Sequence, residues 1–271
     1  MKAIMVGVDG SSHSDVAVRY AIEIADLFGA KVIGVAAVAE DFDGERASDE
    51  QPRERLEGLE YIANAGMGWF RDALEECGEA CQVADVEFIA RVLSGKPTEV
   101  LAEEAQSADM LVIGAKGRRA KHVELLGSTT RRVLRKCIKP VLVTRDEHKL
   151  IQRIMVGYDG SPASGHAVEW AADLAAAGRM ELGIVTGAFS GSGLAESLEY
   201  VSDLVRTRGI EPDAMRVKGD APGVIFDRAR EWDPDLIAIG GAVKGTLSGF
   251  FLGEAWPDIV EQSRRPVLRW R

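Results

Sequence analysis

Cysteine is scarce in this chain of 271 residues: Cys77, Cys81 and Cys137 are odd in number and show no CxxC spacing. That excludes a disulfide framework and points to a reducing compartment. Positive charge is also in short supply, with 33 basic against 43 acidic residues and a formal net charge of −10. A polyanion would meet a repelling mean field, so a nucleic-acid coat is excluded while a local basic patch is not. Long apolar runs are missing: Val32 to Ala39 is among the longest, well short of the roughly 18 residues of a membrane span. The opening MKAIMVGVDG lacks the basic segment, apolar stretch and small-residue cleavage site of a signal peptide, so a cytoplasmic location is expected.

Two common nucleotide signatures are absent too. Gly95-Lys96 is followed by Pro97, and no Gly-x4-Gly-Lys-Ser/Thr occurs, which sets aside a P-loop NTPase. The first-strand turn, Gly7-Val8-Asp9-Gly10-Ser11-Ser12-His13, lacks Gly-x-Gly-x-x-Gly, which sets aside a dinucleotide dehydrogenase. Cys77 and Cys81 stand at i and i+4 with no histidine close in sequence. Two ligands do not make a structural zinc site, and no metal site is expected.

What the chain does contain is an internal repeat. Ile4 to Ser11, IMVGVDGS, returns as Ile154 to Ser161, IMVGYDGS, at an offset of 150. Asp109 to Gly114 answers to Asp235 to Gly240, and Lys139-Pro140 to Arg265-Pro266, both at an offset of 126, so the second half is shorter in its middle by 24 residues. With 46% hydrophobic residues, each half can bury its own core, and two domains are expected at 1–147 and 151–271.

Each half alternates short Val/Ile/Leu runs with amphipathic stretches, the pattern of βα units in a parallel sheet covered on both faces. Strands are expected near 2–8, 31–38, 84–92, 109–114 and 140–144, then 152–158, 180–187, 213–218, 235–240 and 266–270. Helices are expected near 13–28, 56–77, 97–107 and 128–137, then 163–177, 193–208, 221–231 and 255–263. The charged stretch Glu40 to Arg55 reads as a solvated loop or as a lid over a ligand. Met67, Trp69 and Phe70 read as helix-packing surface.

The chemistry-bearing pattern is Gly114-x2-Gly117-x9-Gly127-Ser128. Glycines at 114 and 117 would let the backbone take positive φ and let a ligand approach without a Cβ in the way. Gly127-Ser128 falls at a helix entrance, where unpaired N–H groups and the helix dipole favour an anion. Ser128 could equally serve as an N-cap, and Asp9, in Asp-Gly-Ser, as an ordinary turn residue. Lys116, Arg118, Arg119 and Lys121 add local positive charge. His13 and His122 are proton carriers if a phosphate were cleaved, or surface residues if not.

With that pattern in hand, the chain resembles a tandem universal stress protein of the ATP-binding type, the resemblance covering nearly the whole sequence twice. It implies two Rossmann-like domains of the adenine nucleotide alpha hydrolase-like kind. Each would hold a five-stranded parallel sheet in the order 3-2-1-4-5 with helices on both faces. The two repeats would form an intramolecular pseudo-dimer through their last strands, and further association to a homodimer is common in the family. Asp9 would bind the adenine or ribose side, Ala37 and Val38 would line the adenine slot, and Gly114, Gly117, Gly127, Ser128 and Thr129 would hold ribose and phosphates. The ligand would be ATP or a related adenine nucleotide, with Mg²⁺ on the phosphates.

In the second half the same frame reads Gly240-x2-Val243-x9-Gly253-Glu254. Val243 brings a branched side chain to a glycine position, and Glu254 places a carboxylate where phosphate would sit. One nucleotide per chain is therefore expected. Three functions remain open: a nucleotide-dependent regulator acting on an unknown protein partner, a slow ATPase, and a nucleotide-free adaptor.

Overall fold

A computed structural model describes residues 1–38, 55–56, 68–118, 125–187, 194–241 and 252–271. The chain divides into two compact units, Met1–His148 and Lys149–Arg271.

In the first unit β1 (Ala3–Gly7), β2 (Lys31–Val38), β4 (Phe88–Ser94), β5 (Met110–Gly114) and β6 (Val141–Thr144) are joined in the order β4-β2-β1-β5-β6. All pair in parallel. A two-residue strand, β3 (Arg55–Leu56), lies antiparallel on β4. Helices α1 (Ser12–Phe28) and α2 (Gly68–Val83) pack together, as do α3 (Pro97–Glu104) and α4 (Ser128–Lys136). Burial of β1, β2, β5 and β6 is nearly continuous, as a strand covered on both faces requires.

The second unit repeats this with β7 (Arg153–Tyr158), β8 (Glu181–Gly187), β9 (Asp213–Val217), β10 (Leu236–Gly240) and β11 (Val267–Trp270), in the order β9-β8-β7-β10-β11. Its helices are α5 (Pro162–Gly178), α6 (Leu194–Arg206), α7 (Ala221–Trp232) and α8 (Leu252–Gln262). The expected α/β architecture and strand order are thus present in each unit.

Matching details recur at matching places. Ser11 caps α1 by accepting the Ser14 N–H, and Ser161 caps α5 by accepting the Ser164 N–H, both at 3.2 Å. Asp109, just before β5, accepts hydrogen bonds from the N–H groups of Lys2 and Ala3 at the start of β1. Asp235 does the same for Gln152 and Arg153 ahead of β10. One carboxylate per unit therefore fixes the register of the two central strands at their N-terminal ends.

Two expected boundaries differ. The helix expected at 56–77 is α2, Gly68–Val83, and Leu56 is in a strand. α2 extends past 77 at its C-terminal end because Cys77 and Cys81 lie on its buried face. It ends with Asp85 in the left-handed conformation, φ 56°, and with the Val86 N–H donating to the Cys81 carbonyl. The strand expected at 84–92 consequently occupies Phe88–Ser94. Most of the charged stretch Glu40 to Arg55 lies outside the described residues.

Burial pushes the Asp109 carboxyl upward, but its hydrogen bonds from Lys2 and Ala3 prevail and hold it below the ordinary aspartate value. A depressed folded-state value means stabilisation that is present above the unfolded value near 3.9 and lost as pH falls through the folded one. Asp109→Asn is expected to cost about 1 kcal/mol at neutral pH, because the carboxylate is exposed and partly screened. In urea unfolding the gap to wild type should close as pH drops below about 4; a gap independent of pH would refute the electrostatic account.

Candidate functional site

The loops at the C-terminal ends of the first unit's strands surround a cleft of about 660 Å³, within the usual size of small-molecule sites. Its described lining includes Asp9, Ala37, Gly114, Gly117, Gly127, Ser128 and Thr129. Seven of the eight residues singled out in the sequence are therefore brought to one place. Val38 is not among them. Side chains alternate along a strand, so Val35 and Ala37 share the cleft-facing side of β2 while Val38 is buried elsewhere.

The glycines act differently from expectation. Gly114 and Gly117 do not take positive φ. A Cβ on Gly114 would lie 2.8 Å from the backbone of His13, so this glycine lets α1 cross the end of β5. Gly240 is in the same position, with an added Cβ 2.2 Å from the Ser164 nitrogen of α5. The first glycine of the motif is thus a packing residue in both units, which explains its presence in the altered copy. At Gly117 an added Cβ would lie 2.6 Å from the Asp9 carboxylate.

Asp9 ties the turn after β1 to the glycine loop. Its Oδ1 accepts from the Ser11 N–H at 3.0 Å and the Ser11 hydroxyl at 2.6 Å, and its Oδ2 accepts from the Arg118 N–H at 3.1 Å. The loop is further held by the Gly127 N–H, donating to the Ala115 carbonyl at 2.8 Å, and by the Thr130 hydroxyl, donating to the Gly114 carbonyl at 3.0 Å.

Gly127 rather than Ser128 is the N-cap of α4, and it contributes no capping side chain. The first intrahelical bond runs from the Arg131 N–H to the Gly127 carbonyl. The N–H groups of Ser128, Thr129 and Thr130 thus have no acceptor within the helix, and all three residues line the cleft. No acidic residue occupies the first turn, and Arg135 and Lys136 occupy the last. The positive end of the dipole is left for an anion. Lys116 and Arg118 line the same cleft and add full positive charges.

Sequence reasoning missed Trp69 and Phe70, which line the cleft together with Pro97 and Leu101. The signal was available: Trp69, Ala73, Cys77 and Cys81 fall at i, i+4 spacing, so the buried stripe of α2 continues to its first turn. A helix that follows a parallel strand begins at the C-terminal edge of the sheet, and there ligands bind.

Other candidates fall away from the cleft. The His13 imidazole faces Asp146, Nε2 to Oδ1 3.5 Å, and is not part of the lining. Arg119, Lys121 and His122 lie outside the described residues. Cys77 and Cys81 form a buried thiol pair; the hydrogen bond that the Cys77 thiol donates to Cys81, together with burial, pushes the Cys77 thiol up. No group of three metal-ligating side chains occurs among the described residues.

The second unit diverges at the corresponding positions. Tyr158 stands where the first unit has Val8; it is 6% exposed, and burial raises its phenol despite a hydrogen bond with Ser197. Trp256 stands where the first unit has Thr130, with the Arg269 guanidinium 4.6 Å from its ring centre. Gly253 and Glu254 are inside the first turn of α8, which starts at Leu252. Val243 lies outside the described residues.

The sequence model of the universal stress protein family matches residues 1–145 and again 150–271. A universal stress protein of Mycobacterium tuberculosis H37Rv is 27% identical over 302 residues, covering 98% of this chain and 93% of its own length. One from Mycolicibacterium smegmatis is 31% identical over 285 residues, covering 98% and 95%. The crystal structure of a universal stress protein from Archaeoglobus fulgidus superposes with a TM-score of 0.77 at 19% identity, over 99% of this chain and 98% of that one, a likeness of fold. No helix among the described residues is long and apolar enough to cross a membrane.

Gly114→Ala and Gly240→Ala are each expected to cost about 1–3 kcal/mol, because a helix backbone must shift to admit the methyl group. At Gly127 an added Cβ meets nothing closer than 3.5 Å, and Gly127→Ala should cost less than about 1 kcal/mol. Denaturant midpoints measure the ranking; a neutral Gly240→Ala would refute the packing role.

Proposed function

The chain belongs to the universal stress protein family, as a tandem repeat, and we propose that it is a cytoplasmic regulator that binds one ATP or related adenine nucleotide in its first unit. The observation that carries this reading is the uncapped N-terminus of α4, opening on a cleft that Asp9, Ala37 and the glycine loop also line. The phosphates would take the N–H groups of Ser128, Thr129 and Thr130 together with the charges of Lys116 and Arg118. The apolar part of the cleft, Val35, Ala37 and Leu101, would take the base.

Magnesium would travel on the phosphates. Asp9 is the one carboxylate in the described lining, and both its oxygens already accept hydrogen bonds. It is better fitted to hold the loop in shape than to hold a metal. The described lining holds no histidine and no glutamate, and its one carboxylate, Asp9, is engaged by Ser11 and Arg118, so the reading favours binding over hydrolysis.

Regulation would follow from what the cleft connects. Its walls come from the turn after β1, the loop after β5 and the start of α4, so a ligand touching all three shifts the population toward the arrangement that contacts it best. The surface of the first unit presented to an unidentified protein partner would change with occupancy. In the second unit Tyr158, Trp256 and Glu254 replace Val8, Thr130 and Ser128, and that unit is assigned no nucleotide.

Denatured protein should release one adenine nucleotide per chain, identified by mass, or the purified protein should bind one ATP by calorimetry. No released nucleotide together with no measurable affinity would refute the proposal, and two per chain would refute the asymmetry.

Gly127→Asp separates binding from folding. The N-cap dihedrals, φ −69° and ψ 156°, suit aspartate, whose carboxylate can cap α4. The melting temperature is expected to hold or rise slightly, for a gain of about a few tenths of a kcal/mol, while nucleotide binding is lost. Retained binding in this variant would remove the helix terminus from the site.

A further inference from the structure

We propose that Trp69 and Arg118 form a two-part clasp on the first unit's cleft that reads the two ends of a nucleotide together. Trp69 is the stacking face for the base and Arg118 the partner of a phosphate. The proposal rests on the nucleotide reading above and goes beyond the glycine motif, to side chains outside it.

The two residues reach the cleft from separate elements. Trp69 is on the first turn of α2, beside Phe70, with ring centres 5.7 Å apart and planes tilted by 39°. These are the aromatic side chains among the described lining residues. Arg118 follows Gly117 in the loop after β5, and its guanidinium carbon lies 4.5 Å from the centre of the Trp69 ring. The pair thus spans from α2 to the glycine loop.

The backbone beneath each residue is held while the side chains can exchange partners. The Arg118 N–H is fixed by the Asp9 carboxylate, whereas Arg118 itself is exposed. Gly10, φ 68°, sits under the first turn of α2, where a Cβ would be 3.4 Å from the Trp69 carbonyl oxygen. Asp9 and Gly10 therefore set both halves of the clasp from one turn.

A guanidinium stacked on an indole keeps its N–H edges available, and a phosphate offers those edges a bidentate, charge-assisted partner. An indole face released from the cation can stack on a base, a contact open to any π-face. A ligand carrying both a flat base and an anion replaces the cation–π contact with two better ones. A ligand carrying only one leaves half of the clasp without compensation. The chemistry selects nucleotides over nucleosides and over free polyphosphate.

The second unit does not reproduce the pair. Strand register aligns Gly34 with Ala90 and Ile184 with Ala214, which carries Trp69 to Gly193 by sequence. Position 118 answers to Lys244. Lysine lacks the planar fork, and glycine offers nothing to stack on.

Trp69 is the one tryptophan in residues 1–148, the other four standing at 170, 232, 256 and 270. The full-length chain is titrated with ATP, adenosine and inorganic tripolyphosphate by calorimetry and by tryptophan fluorescence, as wild type and as Trp69→Phe, Trp69→Ala and Arg118→Gln. Arg118→Gln should already alter the emission of the ligand-free protein. ATP should change the emission of wild type and not of Trp69→Phe, a variant that keeps an aromatic ring for folding. Trp69→Ala should weaken ATP and adenosine roughly tenfold and leave tripolyphosphate unchanged, while Arg118→Gln should weaken ATP and tripolyphosphate roughly tenfold and spare adenosine. If Trp69→Ala and Arg118→Gln bind ATP as wild type does, the clasp is overturned and the nucleotide reading stands. If wild type binds none of the three, both are overturned.

Discussion

The first unit is organised around one close approach, the crossing of the α1 backbone over Gly114 at the end of β5. There is no room at that point for a side chain, and the contact brings three chain segments to one spot. The turn after β1 arrives with Asp9 and Gly10, the loop after β5 begins, and the cap of α4 is drawn in through the Thr130 hydroxyl. The cleft is the space these segments leave at the C-terminal edge of the sheet. The same crossing at Gly240 in the second unit shows that it belongs to the fold itself, whatever the ligand.

Much of this was legible in the sequence because the physics is local. Continuous apolar runs mark strands covered on both faces, and repetition of IMVG(V/Y)DGS marks two copies of one unit. The region between the second and third strands was less legible. The end of α2 is decided by how Cys77 and Cys81 meet the sheet and by a left-handed Asp85, which is a tertiary fact imposed on a residue with no strong local signal. The role of the motif glycines is hard to read from sequence for a related reason. Glycine satisfies two different needs, left-handed backbone and absence of bulk, and only the neighbours tell which applies. For Gly114 and Gly117 the need is absence of bulk, and the neighbours are protein atoms. Val38, which the family resemblance places beside Ala37 on the adenine slot, is turned from the cleft by the strand's alternation. Trp69 reads as packing because its helix is amphipathic, although the stripe that carries Ala73, Cys77 and Cys81 also runs out toward the cleft, where Trp69 is half-buried.

The two units share an architecture and differ in what occupies the ends of their strands. In the first, small residues and an unfinished helix leave a cleft with positive charge at one end. In the second, Tyr158 is buried and Trp256 is stacked against Arg269, so side chains supply contacts that the first unit leaves open. Electrostatics follows the same division, with Lys116 and Arg118 on the cleft of a chain that is acidic as a whole. A local positive field on a negative molecule draws small anions while turning away long ones.

Gly127 has an implication for how such a pair diverges. Several residues would finish α4 better than glycine does, and each would bring atoms into the space where an anion would sit. Selection for folding alone therefore runs against the site, and a copy released from ligand duty would lose it through ordinary mutation, with no pressure to abolish binding. Serine replaced by glutamate in the first turn of α8 is the kind of change that process favours. The glycine itself persists at position 253, so what separates the two copies at this point is the residue that follows it.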